Sequence, residues 1–387
     1  MEITWRWFGK KDKITLAKLR QIGVEGIVTA LYDVHNGAIW SREQIRNLRE
    51  YIESYGMRWS VVESLPVSES IKYGGPDRDL LIENYKQSLR NLSAEGIHTI
   101  CYNFMPVLDW ARTDLLHPNA NGTSNLYFSH AQFAYFDIHI LHRENATHDY
   151  NKEILAEVEK LKLVMTADDE HQLVENIIVK TQGFVSGNIR EDDEHPVELF
   201  RQLLSLYQGI DKDMLRENMR YFLSAIMPVC EECDMYMCVH PDDPPFPILG
   251  LPRIVTCDED IEWFLHAVDN PRNGLTFCAG SLSAGAHNDV VALARKYASR
   301  TWFIHMRSCQ VFPNGDFTEA SHLGGRADLV ELARIFEQGR QLPMRVDHGM
   351  TMIGDENRGY NAGYSFLGRM FALGQVQGIL AAVNHDK

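Results

Sequence analysis

The sequence has no run of about 18 uninterrupted apolar residues, so no segment reads as a membrane span. The opening MEITWRWFGKKDKIT lacks an apolar stretch set between basic residues and a cleavage site, so no export signal is expected. Basic residues are scarce. The 38 Lys+Arg stand against 53 Asp+Glu, a formal net charge of −15. Such a chain repels phosphate backbones at long range, which argues against a nucleic-acid partner and leaves room only for a local basic pocket that takes a small anion. No G-x-G-x-x-G follows the first predicted strand, so nothing supports a dinucleotide fold. The cysteines are seven, odd in number and irregularly spaced, and are expected to be reduced thiols in a cytoplasm. Cys230 and Cys233 have no second C-x-x-C pair downstream, so they read as thiols on a helix rather than half of a zinc or redox motif. There is no internal repeat and no low-complexity tract.

What is present is an alternation. The 387 residues allow two or three domains, or one large barrel with an insertion. Predicted strands are ITWRW (3–7), GIVTAL (26–31), RWSVVES (58–64), HTICYNF (98–104), MYMCVH (235–240), LTFCAG (275–280), WFIHMR (302–307) and PMRVDH (343–348). They are nearly continuous in apolar residues, as parallel strands covered on both faces are. Amphipathic helices are predicted between them. One, at 41–55, opens with Ser41 as N-cap and Gln44 three residues on. Another, at 211–233, sets Leu215, Met219, Phe222, Leu223, Ile226 and Val229 on one face. Others are expected at 12–22, 79–94, 258–269, 287–298, 326–338 and 364–374. Eight strands, each associated with a helix, predict an α/β fold: one (β/α)₈ barrel domain over 1–387. The turn-rich and then aromatic stretch 105–210 breaks the alternation. It predicts a helical insertion after the fourth strand, at the catalytic face, forming a lid or an oligomer contact. Its Trp110, Phe133, Tyr135 and Phe136 are expected to pack that insertion. The chain is expected to assemble as a homo-oligomer, dimer or higher.

Four ligand-type residues fall at equivalent places. His240, Cys278, His305 and Asp347 each sit at or near the C-terminal end of one of the last four predicted strands. In a barrel those ends converge on one mouth, so the four can share one ion. Two imidazoles, a thiolate and a carboxylate suit a divalent transition metal without choosing among Zn²⁺, Mn²⁺, Fe²⁺, Co²⁺ and Ni²⁺. His348 follows Asp347. If the strand end turns at Gly349, His348 enters the site and is free for proton transfer. The alternative is a His outside the site. In HPDDPPFPILGLPR (240–253) the prolines would hold Asp242 and Asp243 near the mouth.

The segments WRWFG (5–9), VVESLPV (61–67), CYNFMPVLDWARTDL (101–115), VHPDDPP (239–245), LGLPRIV (249–255), FCAGS (277–281), HMRS (305–308), DHG (347–349) and AGYSFLGR (362–369) together resemble the mannonate dehydratase family, in order from residue 1 to about 378. The resemblance implies a (β/α)₈ TIM barrel of the xylose-isomerase-like kind. It implies removal of water from D-mannonate to give 2-keto-3-deoxy-D-gluconate in hexuronate breakdown. It also implies a divalent ion, commonly Mn²⁺ with Fe²⁺ as an alternative, on His240, Cys278, His305 and Asp347. The catalytic pair it implies is His348 and a Tyr in a P-G-Y element. Here that element reads Ala362-Gly363-Tyr364, so Tyr364 is chosen, with Tyr360 of RGYN as the second candidate. Arg307, two residues past His305, is a candidate for the substrate carboxylate, or else a structural ion pair at the rim. A metal-dependent sugar isomerase or epimerase on the same barrel is the main alternative. A metal-dependent endonuclease and a silent sugar-acid-binding protein are weaker ones.

Overall fold

The fold comes from a computed structural model that describes residues 1–182, 189 and 193–385. In chain order the strands are β1 (Glu2–Arg6), β2 (Gly26–Thr29), β3 (Arg58–Glu63), β4 (Thr99–Tyr102), β5 (Asp114–Pro118), β6 (Ser124–Phe128), β7 (Tyr236–Val239), β8 (Asn273–Cys278), β9 (Thr301–His305), β10 (Cys309–Val311), β11 (Phe317–Glu319) and β12 (Pro343–Arg345). Eight of them close a parallel barrel in the order β1-β12-β9-β8-β7-β4-β3-β2. These are the eight predicted strands, each within two to three residues of its expected ends. Glu2 against Pro343 and Ile3 against Met344 form the seam. Val28, Val61, Cys101, Cys238 and Phe303 fill the barrel axis. The main apolar core lies between the strands and the surrounding helices.

The helices form where apolar residues recur with helical spacing and a cap satisfies the first amides. Helix Arg42–Glu53 has the reciprocal Ser41–Gln44 capping box. Helix Lys212–Glu232 is capped by Asp211 and buries the whole predicted face from Leu215 to Val229. The last helix, Phe366–His385, runs well beyond its predicted end because Val376, Ile379, Leu380 and Val383 continue its buried face. It is long and apolar enough to cross a membrane by length and composition alone. Its Leu373, Val376, Ile379, Leu380 and Val383 belong to the main core, while Met370 and Phe371 are exposed.

The insertion is helical over much of its length, as expected, and is packed by Phe128, Phe133, Phe136, Ile177 and Phe200. Residues 183–188 and 190–192 of it lie outside the described residues. It also carries β5 and β6, which its turn-rich composition does not suggest. These join β11 and β10, from the loop after β9, in a four-stranded sheet of order β10-β11-β6-β5. Phe317 of β11 pairs with Phe128 of β6, bringing distant parts of the chain together.

Candidate active site

The barrel places β12, β9, β8 and β7 side by side, so the four nominated ligands meet at one end. Ligand atoms of His240, Cys278 and His305 lie within 4.8 Å of one another. Asp347 Oδ2 is 3.8 Å from Cys278 Sγ and 3.8 Å from His305 Nδ1. His240 donates through Nδ1 to the Pro241 carbonyl at 2.7 Å, so once the ring loses its second proton the lone pair lies on the other nitrogen. His305 Nδ1 is buried with no hydrogen-bond partner. A buried imidazole nitrogen without a partner, beside a thiolate and a carboxylate, fits a divalent cation. Arg345 Nε donates to His305 Nε2 at 3.1 Å. A neutral imidazole has one lone pair, so an ion on Nδ1 requires that contact to be remade.

The electrostatics favour the ligating forms of Cys278, His305 and Asp347, and the protonated form of His240. Burial disfavours the Cys278 thiolate, but Arg307 and His240 outweigh it and bring the thiol below its usual value. Burial and then Arg345 push His305 well below the ordinary imidazole range, so the ring is neutral. Burial opposes ionisation of Asp347, yet Arg345, His348 and Arg307 hold it well below the usual carboxylate range. Burial also opposes charging of His240, and the neighbouring Cys278 lifts it to about 9. That thiolate–imidazolium pair balances charge until a cation takes the proton's place.

His348 does enter the site, but by a different turn from the one expected. Asp347 itself has φ 62, in the left-handed region. That flips the alternation of the chain, so Asp347 and His348 both face the mouth. His348 Nδ1 lies 3.1 Å from Glu319 Oε1. Trp110 and Tyr364 flank its ring, with centroids at 5.0 and 5.1 Å. Gly363 makes this possible: its φ is +76, and a Cβ there would press on the His348 ring. Tyr364 is buried, and burial pushes its phenol above the ordinary value. Tyr360 packs against the outer core instead and does not line the pocket.

A pocket opens at this end of the barrel. His240, Asp347, His348 and Tyr364 line it, with Arg6, Glu63, Arg307, Arg345, Asp109 and Trp110. Trp110 therefore belongs to the mouth, while Phe133, Tyr135 and Phe136 pack the insertion as expected. Asp243 also lines the pocket, whereas Asp242 is turned away and ties down the Ile254 and Val255 amides at 2.7 and 2.9 Å. Arg307 is 1% exposed and engaged on every side. It donates to Asp243 at 2.7 Å, Ser281 at 2.9 Å and Glu319, and its Nε is 2.8 Å from Asp347. Arg345 bridges Asp347 to Glu63 at 2.7 Å. Sequence reasoning missed Glu63, Arg345 and Glu319. Glu63 and Arg345 carried a signal, since both lie in predicted strands near the mouth; Glu319 carried none. Cys230 lies in the last turn of helix Lys212–Glu232 and Cys233 caps its end, both as free thiols, and neither lines the pocket.

A family model described as D-mannonate dehydratase (UxuA) matches residues 1–387. A mannonate dehydratase of Marinomonas sp. (strain MWYL1) is 44% identical over 390 residues, 98% of this chain and 98% of its own. One from Chromohalobacter salexigens is 41% identical over 396 residues, 99% of each chain. The crystal structure of mannonate dehydratase from Streptococcus suis serotype 2 superposes with a TM-score of 0.79 at 34% identity, over 100% of this chain and 95% of that one. A D-tagatose 3-epimerase-like protein superposes with a TM-score of 0.54 at 10% identity, over 100% of this chain and 99% of that one, a likeness of fold alone.

Proposed function

The chain belongs to the D-mannonate dehydratase family, and we propose that His348 and Tyr364 carry the proton transfers at a divalent ion held by His240, Cys278, His305 and Asp347. Its reaction is the dehydration of D-mannonate. The proton at C2 and the hydroxyl at C3 leave, and the enol so formed becomes the ketone of 2-keto-3-deoxy-D-gluconate. When bound, the ion supplies Lewis-acid stabilisation of the charge that develops beside the substrate carboxylate. Mn²⁺ is the proposed metal.

The observation that carries this reading is the placement of His348 and Tyr364 against one another at the ligand cluster. His348 Nδ1 lies 3.1 Å from both Glu319 Oε1 and Arg307 Nη1, and Arg307 Nη1 itself donates to Glu319; we assign the Nδ1 proton to a hydrogen bond with Glu319, which leaves Nε2 as the basic end. We assign it the C2 proton. Tyr364, held above its ordinary pKa by burial, keeps its proton and suits donation to the departing C3 hydroxyl. Arg307 is assigned to hold Asp347, Cys278 and Glu319, since its nitrogens already face protein groups. The insertion acts as a wall of the site through Asp109 and Trp110. Assembly as a homo-oligomer and a reducing cytoplasm, consistent with seven free cysteines, belong to the same reading; sedimentation checks the first. Purified protein with Mn²⁺ and D-mannonate should yield a 2-keto-3-deoxy acid. An epimeric or isomeric acid, with no water lost, would favour the isomerase alternative.

A further inference from the structure

Glu319 stands outside the barrel, at the end of β11, yet its carboxylate lies in the mouth and is 4% exposed. Three groups converge on its Oε1: Arg112 donates at 2.7 Å, Arg307 donates, and His348 Nδ1 lies at 3.1 Å. Cys309 Sγ reaches the other oxygen at 3.5 Å. The backbone is fixed as well. Asn125 of β6 donates to the Glu319 carbonyl at 2.6 Å, and Thr318 pairs with Tyr127. Arg112 is held in turn by Asp243 at 2.7 Å.

We infer that Glu319 is a positioning residue: the accessory sheet holds its carboxylate on His348 Nδ1, fixing the ring so that Nε2 faces the substrate. The inference rests on the proton-transfer role proposed for His348. The physical reason is that an ionised carboxylate only accepts hydrogen bonds, so a bond to Glu319 puts the proton on Nδ1 and the lone pair on Nε2; Arg307 Nη1, also 3.1 Å from Nδ1, is itself drawn to Glu319 Oε1. The two arginines immobilise the carboxylate, so it constrains the ring angle as well as the tautomer. The insertion thereby acts on the reaction through β6 and β11, in addition to walling the pocket.

The test is a double-mutant cycle with Glu319→Gln, His348→Gln and the double variant, scored by kcat, KM and bound Mn²⁺. A Gln can present its amide to Nδ1 and reverse the tautomer. Glu319→Gln should lower kcat about 10²-fold or more with KM and metal content kept, the scale of a proton-transfer group. On the His348→Gln background the same change should cost nothing further. Equal losses on both backgrounds, a loss of bound Mn²⁺, or near-normal turnover in Glu319→Gln would each overturn the inference. Full turnover in His348→Gln alone would instead remove the role of His348 on which it rests. If Glu319→Gln does not fold, Glu319→Asp keeps the charge toward Arg112 and Arg307 while drawing it back from His348. It should fold, bind Mn²⁺ and lose turnover; wild-type turnover there would count against the inference equally.

Discussion

Tyr364 is 6% exposed, and the Phe8 and His348 rings meet it edge-on at 4.9 and 5.1 Å. A phenol so packed is aimed reproducibly, and orientation is a large share of proton-transfer catalysis. Tyr364→Phe, which removes only the hydroxyl, should lower turnover at least tenfold, about 1.4 kcal/mol of barrier. Tyr360→Phe should change little. Steady-state rates of both variants at saturating Mn²⁺ and substrate check this, and a crippled Tyr360→Phe beside a healthy Tyr364→Phe would reverse the assignment. DENRGYN offers Tyr360 no apolar neighbour, yet the fold packs it against the outer core. It lies away from the pocket that Tyr364 lines. The convergence of the four proposed ligands was legible because a barrel strand delivers its last residues to one mouth, whatever lies between strands. The left-handed turn at Asp347 was not, since nothing local to DHG marks which residue takes it.

At the scale of elements, helix Lys212–Glu232 shows what periodicity can and cannot convey. Its apolar face was legible in full, and Phe222 is its centre, fully buried against Tyr85, Tyr102 and Phe104. Phe222→Ala should cost about 3–5 kcal/mol, the range for deleting a large buried ring. Denaturant unfolding should show that loss, while bound Mn²⁺ per folded protein stays unchanged; a loss below about 1 kcal/mol would contradict the packing described. The accessory sheet was illegible for the opposite reason. β10 and β11 are three residues each, and β5 carries polar and proline residues, so none shows a run of apolar periodicity. They exist through pairings between distant segments, such as Thr318 with Tyr127. Glu319 reaches the mouth on that sheet, which is why no local signal announces it.

For the whole molecule, the barrel mouth concentrates buried charge. Burial opposes ionisation of Glu63 and Glu319, but Arg345 and Arg6 for the first, and Arg307 and Arg112 for the second, bring each to about 2. Both folded values lie below the ordinary 4.5. Their contribution to stability is therefore complete above about 4.5 and lost as the pH falls toward about 2. The melting temperature of the metal-free protein should drop across that window; a flat profile would contradict the ion-pair network. The fold class was legible from eight covered strands, and the proposed metal site from four of their ends. The central claim is that one ion on those four residues supports turnover. Its most direct test is bound Mn²⁺ and D-mannonate turnover, measured on the same samples of the wild type, Asp347→Ala and His305→Ala. The account predicts that both variants fold, lose the metal and lose the activity together; variants that retain stoichiometric Mn²⁺, or that turn over D-mannonate without it, would contradict it.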